Sequence, residues 1–184
     1  MALSSVLRQP GTRRALLNLV AFELGWLACV LGGSWIAAPV AFVILTLHLV
    51  WQAKPGEWRW LAGFAAMGLV VDGGLTLIGG FDFGDQPLMF GVLPLWIWLL
   101  WPLFATLLHH SLAWLWQRPW LAVLGGAISG PASYFAGAKL ADVTLASWLL
   151  PVQALVWGLL CLWLCRQLGK GSKCTRRAFP LRGQ

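Results

Sequence analysis

Long apolar runs alternate with short polar turns along the chain, and the runs have the length of membrane spans. A hydrocarbon core about 30 Å thick needs about 20 apolar residues to cross it as a helix. Six runs meet that requirement, at residues 16–33, 35–52, 58–78, 88–116, 120–140 and 144–168. The pattern predicts an all-α fold, an integral membrane bundle of six transmembrane helices.

Composition supports this class and excludes a water-soluble domain. The 184 residues are 59% hydrophobic and 10% charged, so a single core in water would leave much apolar surface exposed. No linker divides the runs. We therefore expect one transmembrane domain over 1–168 and a basic, disordered cytoplasmic tail over 169–184.

The distribution of positive charge predicts how the bundle is oriented. Cytoplasmic flanks of membrane helices retain Lys and Arg. With six spans, all but one of the 13 Lys and Arg residues fall on one side, and Lys139 lies on the other with Asp82, Asp85 and Asp142. Both termini are therefore predicted to be cytoplasmic. These flanks account for the net charge of +7, so nucleic acid is not an expected partner.

Tryptophan is abundant, and most of the 14 residues lie near the ends of the runs, where amphipathic rings anchor helices. A deeper group has two interpretations. It packs between helices, or it forms the wall of an aromatic groove for lipid. The deeper residues are Trp26, Trp96, Trp98, Trp101 and Trp157.

Helix packing is predicted for the fifth run, where Gly126 and Gly130 are four residues apart. Such spacing of small residues lets another helix backbone come close. In the long fourth run, Pro94 and Pro102 are expected to bend the helix.

Polar side chains inside the spans are the candidate functional residues, because they are costly at membrane depth and tend to face the bundle interior. Counting residues from the middle of each span places them in two layers. The inner layer contains Asn18, Glu23, His48 and His109, with His110 as a further imidazole, and the outer layer contains Asp72, Ser133, Tyr134 and Gln153.

These layers fit several kinds of chemistry. Imidazoles and carboxylates can perform acid and base catalysis or relay protons, and they can also simply hold helices together. A metal ion held by Glu23, His48 and His109 is not expected, because their spacing matches no ligand pattern. Neither a metal nor another cofactor is predicted.

Asp72 is the most informative of these residues. Its neighbours along the helix are apolar, so the carboxyl group must be protonated, paired or facing a wet cavity. The candidate catalytic residues are His109, Asp72, Ser133 and Tyr134, and the accompanying polar layer is Asn18, Glu23 and His48.

Four motifs together resemble a bacterial inner-membrane family of unknown function, domain of unknown function 2878. They cover nearly the whole chain. The motifs are Asn18-x-x-x-Phe22-Glu23-x-Gly25-Trp26-x-x-Cys29-Val30-x-Gly32, Phe104-Ala105-Thr106-Leu107-x-His109, Ser111-x-x-Trp114-Leu115 and Gly130-Pro131-x-Ser133-Tyr134-x-Ala136-Gly137.

The resemblance implies a multi-pass protein of the bacterial inner membrane with a connection to lipids, because members are encoded near fatty-acid-modifying enzymes such as cyclopropane-fatty-acid-synthase-like proteins. It establishes no catalytic residue. The family pattern has Gln at the position of Glu23, which shifts attention to Asn18, Asp72, His109 and the Ser133-Tyr134 pair.

Three functions remain open at this point. The first is an accessory protein or enzyme of membrane-lipid, fatty-acyl modification, with membrane lipids and a membrane-bound lipid-modifying enzyme as partners. The second is a small proton-coupled transporter, for which the intramembrane Glu23, Asp72 and histidines argue. The third is a non-catalytic scaffold for a partner enzyme.

Overall fold

The computed structural model describes residues 10–169, and most of the expected basic tail lies outside them. This part of the chain contains five α-helices: α1 (Pro10–Trp51), α2 (Trp58–Leu77), α3 (Leu95–Ala105), α4 (Pro119–Leu140) and α5 (Leu149–Leu168). Short strands occur only between helices: β1 (Phe81–Asp82), β2 (Met89–Phe90), β3 (Leu93–Pro94) and β4 (Thr144–Leu145). Strand β1 pairs antiparallel with β4, and β2 with β3.

Four of the described helices, α1, α2, α4 and α5, are long and apolar enough to cross a membrane. Helix α3 is apolar but has only 11 residues. The helical membrane-protein class is therefore supported, whereas the count of six helices is not matched within residues 10–169.

The first two predicted spans lie within α1, which turns sharply at Gly33. Gly33 has φ 58° and ψ −166°, a conformation that is open to glycine and strained for other residues. A Cβ atom on Gly25 would lie 3.1 Å from Cδ1 of Ile44, yet these residues would be about 28 Å apart along a straight helix. The limbs 10–32 and 34–51 therefore fold back on each other without a loop.

The predicted fourth span, 88–116, is not one long helix. Its first residues form the β2–β3 hairpin, with positive φ at Leu88 and Gly91, and α3 begins directly after Pro94. After α3 the chain continues in turns with bonds to the third preceding residue, such as Leu107 N to Phe104 O at 3.0 Å. A 3₁₀ turn rises about 2.0 Å per residue, against 1.5 Å in an α-helix. This segment can therefore cover more of the membrane thickness per residue than an α-helix would. Pro94 thus starts the helix, and Pro102 lies buried inside it.

The helices pack in pairs, α1 and α2 each against α3, and α4 against α5. Helix α4 approaches α5 through small residues as expected: Gly126 lies against Cys161, and Gly130 against the ring of Trp157. Contact between α1 and α4 is limited, which leaves a gap between these two helices.

The two ends of the bundle differ in charge. One, called here the basic end, carries Arg13, Arg14, Lys54, Arg59, Arg118 and Arg166. The other, called here the acidic end, carries Asp82, Asp85 and Asp142 together with Lys139.

Candidate functional site

A groove of about 620 Å³ lies between the first limb of α1 and α4, with α3 and α5 contributing to its floor. Its lining is almost entirely apolar, and residues on its two sides are exposed on the outer faces of the helices. Its aromatic lining residues are Phe22, Trp26, Phe81, Trp96, Trp101, Phe104, Trp114, Trp116, Tyr134 and Trp157.

Four of the five deep tryptophans line this groove, namely Trp26, Trp96, Trp101 and Trp157. Trp98 instead donates its indole N–H to the carbonyl oxygen of Ala65 at 2.8 Å. The two interpretations of the deep tryptophans therefore apply together, because Trp101 and Trp157 stack with centroids 5.5 Å apart and also face the groove.

The outer polar layer comes together around Asp72, whose side chain is fully buried. Trp101 donates its indole N–H to Oδ2 at 2.7 Å, and Gln153 donates its amide to Oδ1 at 3.2 Å. The hydroxyl of Tyr134 lies 2.8 and 2.7 Å from Oδ1 and Oδ2. This set, Asp72, Trp101, Tyr134 and Gln153, is called here the Asp72 cluster.

The Asp72 cluster borders the groove through Tyr134 and Trp101, which line it. All three side chains that bond the carboxyl group are neutral donors, so they satisfy its oxygens without a counter-charge. A carboxyl group beside a phenol can hold that phenol in one orientation and exchange a proton with it. The geometry shows that Asp72 is paired with neutral hydrogen-bond donors at the border of the groove.

Ser133 does not join this cluster, although it precedes Tyr134. Its hydroxyl accepts a hydrogen bond from the indole N–H of Trp26 at 3.0 Å, across the groove from α4 to α1. The residue is a bridge between the two sides of the groove and has no contact with Asp72 in the described hydrogen bonds.

The inner layer, expected to be one group, separates into three places. Asn18 is buried, donates to the carbonyl of Thr106 at 3.2 Å, and accepts from the hydroxyl of Ser111 at 2.5 Å. Glu23 is exposed on the groove wall. Among the described hydrogen bonds, neither residue is joined to His48.

His48 belongs instead to a cluster with Glu57 and His110 at the basic end, called here the Glu57 cluster. The Nε2 atoms of His48 and His110 lie 2.9 and 3.1 Å from Oε1 of Glu57. The backbone N–H of Lys54 donates to Oε2 at 2.8 Å. One ligand atom from each of the three side chains lies within 4.8 Å of the others, which is the arrangement of a possible metal site.

His109 lies beside this cluster but outside it. Its ring meets that of Trp60 with centroids 5.6 Å apart, and its carbonyl oxygen accepts a hydrogen bond from Nζ of Lys54 at 3.1 Å. The structure brings the other histidine of this dipeptide, His110, into the cluster.

Glu57 is the residue that the sequence analysis missed. It stands in the loop before α2, yet it is only 2% exposed. Burial disfavours its charged form, but hydrogen bonds from His110, His48 and the amide of Lys54 outweigh that cost and lower the pKa of Glu57 below its ordinary value. The available signal was a single acidic residue in a loop otherwise flanked by Lys54 and Arg59.

Comparison with known proteins gives a family without an assigned activity. Neither the curated proteins nor the solved structures contain a match to this chain. A family model described as "Protein of unknown function (DUF2878)" matches residues 15–164, which include both clusters and all the described helices in whole or in large part. The chain therefore belongs to the DUF2878 family of proteins of unknown function.

Proposed function

We propose that this protein binds the hydrocarbon chain of a membrane lipid in the groove and takes part in fatty-acyl modification, as an enzyme or as an accessory to one. The observation that carries the proposal is the groove itself. Its apolar space of about 620 Å³ is far larger than the voids that a close-packed protein interior leaves empty. Its size is that of a ligand site, and a protein with membrane-spanning helices has acyl chains as its solvent.

The lining favours a chain-like apolar ligand. The walls are aromatic and aliphatic, and small residues on α4, such as Gly125 and Ser129, leave room beside α1. Exposed lining residues on both sides, including Leu19 and Leu121, connect the interior of the groove to the surface that lipid would cover.

The Asp72 cluster supplies the polar chemistry in this proposal. Tyr134 presents a phenol at the groove wall, and Asp72 orients it and exchanges its proton. Acid and base catalysis requires a positioned donor within hydrogen-bond reach of the reacting atom, and Tyr134 is the cluster member that combines an O–H group with a place in the lining.

The proposed setting is a bacterial inner membrane that the chain crosses six times, with the basic end in the cytoplasm. Two features support six crossings: α1 reverses at Gly33, and the turns after α3 continue toward the basic end. Reporter fusions after Lys54 and after Gln184 should read cytoplasmic, and a fusion at Asp85 should read periplasmic. A periplasmic reading at Gln184 would contradict this topology.

Lipid retained by the purified protein is the direct test of the groove. A Cβ atom on Gly125 would meet no atom within 4 Å, so Gly125→Leu should project a bulky side chain into the groove without disturbing α4. Gly63→Leu is the matched control, because Gly63 also lies near the start of an apolar helix with free space around its Cβ and does not line the groove.

The protein and both variants are extracted in detergent, and bound lipids are counted by native mass spectrometry. We expect a lipid to remain on the wild type and on Gly63→Leu and to be lost from Gly125→Leu at equal folded yield. Equal lipid on all three proteins would contradict binding in the groove.

A further inference from the structure

The Glu57 cluster is separate from the groove and is not used in the function proposed above. His48 comes from the second limb of α1, Glu57 from the loop before α2, and His110 from the turns after α3. None of the three lines the groove. Three different structural elements thus bring two imidazoles and one carboxylate together at the basic end, with His110 53 residues from Glu57 along the chain.

We propose that His48, Glu57 and His110 bind a divalent first-row transition-metal ion. Two histidines and one carboxylate with further positions open form a well-known ligand set for zinc and for non-haem iron. Among residues 10–169 this is the one group of three such side chains whose ligand atoms converge within 4.8 Å.

The distances fit an ion at the centre of the cluster. Ligand atoms about 2.1 Å from a metal are separated by about 3.0 Å at right angles and by about 3.4 Å at the tetrahedral angle. The two imidazole nitrogens lie 2.9 and 3.1 Å from Oε1 of Glu57. Small side-chain movements would therefore admit the ion, which would replace the two hydrogen bonds.

The surroundings orient these ligands as the outer shell of a metal site does. The amide of Lys54 bonds Oε2 of Glu57, which also lies 3.2 Å from Nε2 of His110, while Oε1 faces both imidazoles. His48 and Glu57 are 4% and 2% exposed, whereas the side chain of His110 is 13% exposed, so that side offers a path from the solvent.

Two buried atoms without partners add an independent observation. Nδ1 of His48 and Oε1 of Gln52 are both buried and unpaired. Gln52 follows His48 by four residues, so the two side chains are neighbours on one helical face. When Nε2 of His48 binds a metal, Nδ1 carries the proton and needs an acceptor, and a rotation of the Gln52 side chain would bring its free amide oxygen to that proton.

Metal binding to the purified protein tests this proposal. The protein is prepared in detergent without a polyhistidine tag, stripped with a chelator, and titrated with Zn²⁺ and with Co²⁺ as a coloured probe. We expect one ion per chain. His110→Gln and Glu57→Gln should each weaken binding by at least about 100-fold, since loss of an outer-shell partner alone costs 10- to 100-fold. Gln52→Ala should cost about 10- to 100-fold.

His109→Gln is the matched control, because it changes the adjacent histidine outside the cluster and should bind the metal like the wild type. No binding of Zn²⁺ or Co²⁺ by the wild type, or equal binding by His109→Gln and His110→Gln, would overturn the proposal. X-ray absorption of the zinc-loaded wild type requires no variant to fold. A shell of nitrogen and oxygen supports the site, and sulfur ligands would refute it.

Discussion

The two carboxylates of α2 and its leading loop are both buried, but they are stabilised differently. Glu57, at the start of the helix, is held by two imidazoles and a backbone amide at the basic end. Asp72, fifteen residues later, is held by an indole, a phenol and a primary amide deep in the bundle. Two partners of Glu57 are imidazole rings, which can also serve as metal ligands, whereas the partners of Asp72 are all neutral hydrogen-bond donors.

The difference shows what each location permits. At the bundle end, solvent can reach His110, and a charged or metal-bound state can be compensated by water. Around Asp72 there is no such compensation, because an unpaired polar group in the membrane interior costs its full desolvation penalty. The Asp72 cluster should therefore be sensitive to loss of its central carboxyl group, and the Glu57 cluster more tolerant of the same loss.

The largest expected effect is that of Asp72→Ala. It leaves the N–H of Trp101, the O–H of Tyr134 and the amide of Gln153 without an acceptor, and each buried orphan donor costs about 1–3 kcal/mol. We expect a loss of roughly 3 kcal/mol or more in the free energy of unfolding in detergent. Asp85→Ala, at an exposed loop carboxylate, is the control and should leave stability unchanged.

A smaller effect is expected for Glu57→Ala, measured with a chelator present so that metal does not contribute. The histidines lose their acceptor, but the end of the bundle can rehydrate, so we expect roughly 1–2 kcal/mol. If this variant were less stable than Asp72→Ala, the contrast between the two clusters would be wrong.

Tyr134→Phe should cost about 1 kcal/mol, the value of a single hydrogen bond, because the carboxyl group of Asp72 keeps its bonds from Trp101 and Gln153. Ser133→Ala makes the comparison, since it removes a neighbouring hydroxyl that bonds Trp26 instead. In cells from which the gene is deleted, Tyr134→Phe should fail to restore the wild-type fatty-acyl composition, whereas Ser133→Ala should restore it. The reverse order would remove Tyr134 from the proposed chemistry.

The smallest change in stability is expected for Asp72→Asn. The amide nitrogen introduced at position 72 would face the side-chain N–H of Gln153, which is also a donor. The side-chain oxygen of Gln153 is unpaired, so a rotation of the Gln153 amide would let this oxygen accept the new hydrogen bond. We expect a loss near the average of about 0.6 kcal/mol for a hydrogen bond between membrane helices. A thermal unfolding midpoint close to that of the wild type would confirm this estimate, and a fall as large as that of Asp72→Ala would contradict it.

The membrane class and the approximate helix positions followed from the sequence, because hydropathy over about 20 residues is a local property. The outer layer was also predictable. Asp72, Tyr134 and Gln153 lie at one depth in three helices. A buried carboxyl group needs hydrogen-bond donors, and only side chains at its own depth can reach it. Ser133 was predicted for the same layer but bonds Trp26, because depth does not specify the direction in which a side chain points.

The Glu57 cluster was not predictable in the same way. Its formation depends on two irregular segments. The loop before α2 buries Glu57 at the basic end, and the turns after α3 direct His110 toward it. Depth counted along one helix over 88–116 placed both His109 and His110 in the inner layer, whereas the turns after α3 bring only His110 to Glu57. Likewise, the sharp reversal at Gly33 is a backbone conformation that hydropathy does not report.

The lipid composition of cells tests the central claim most directly. Cells from which the gene is deleted are compared with the same cells carrying the wild type, Asp72→Asn or Gly63→Leu at equal abundance in the membrane. We predict that deletion changes a fatty-acyl species, that the wild type and Gly63→Leu restore it, and that the folded Asp72→Asn protein does not. An unchanged lipid composition on deletion, or full restoration by Asp72→Asn, would contradict the proposed role of the groove and the Asp72 cluster.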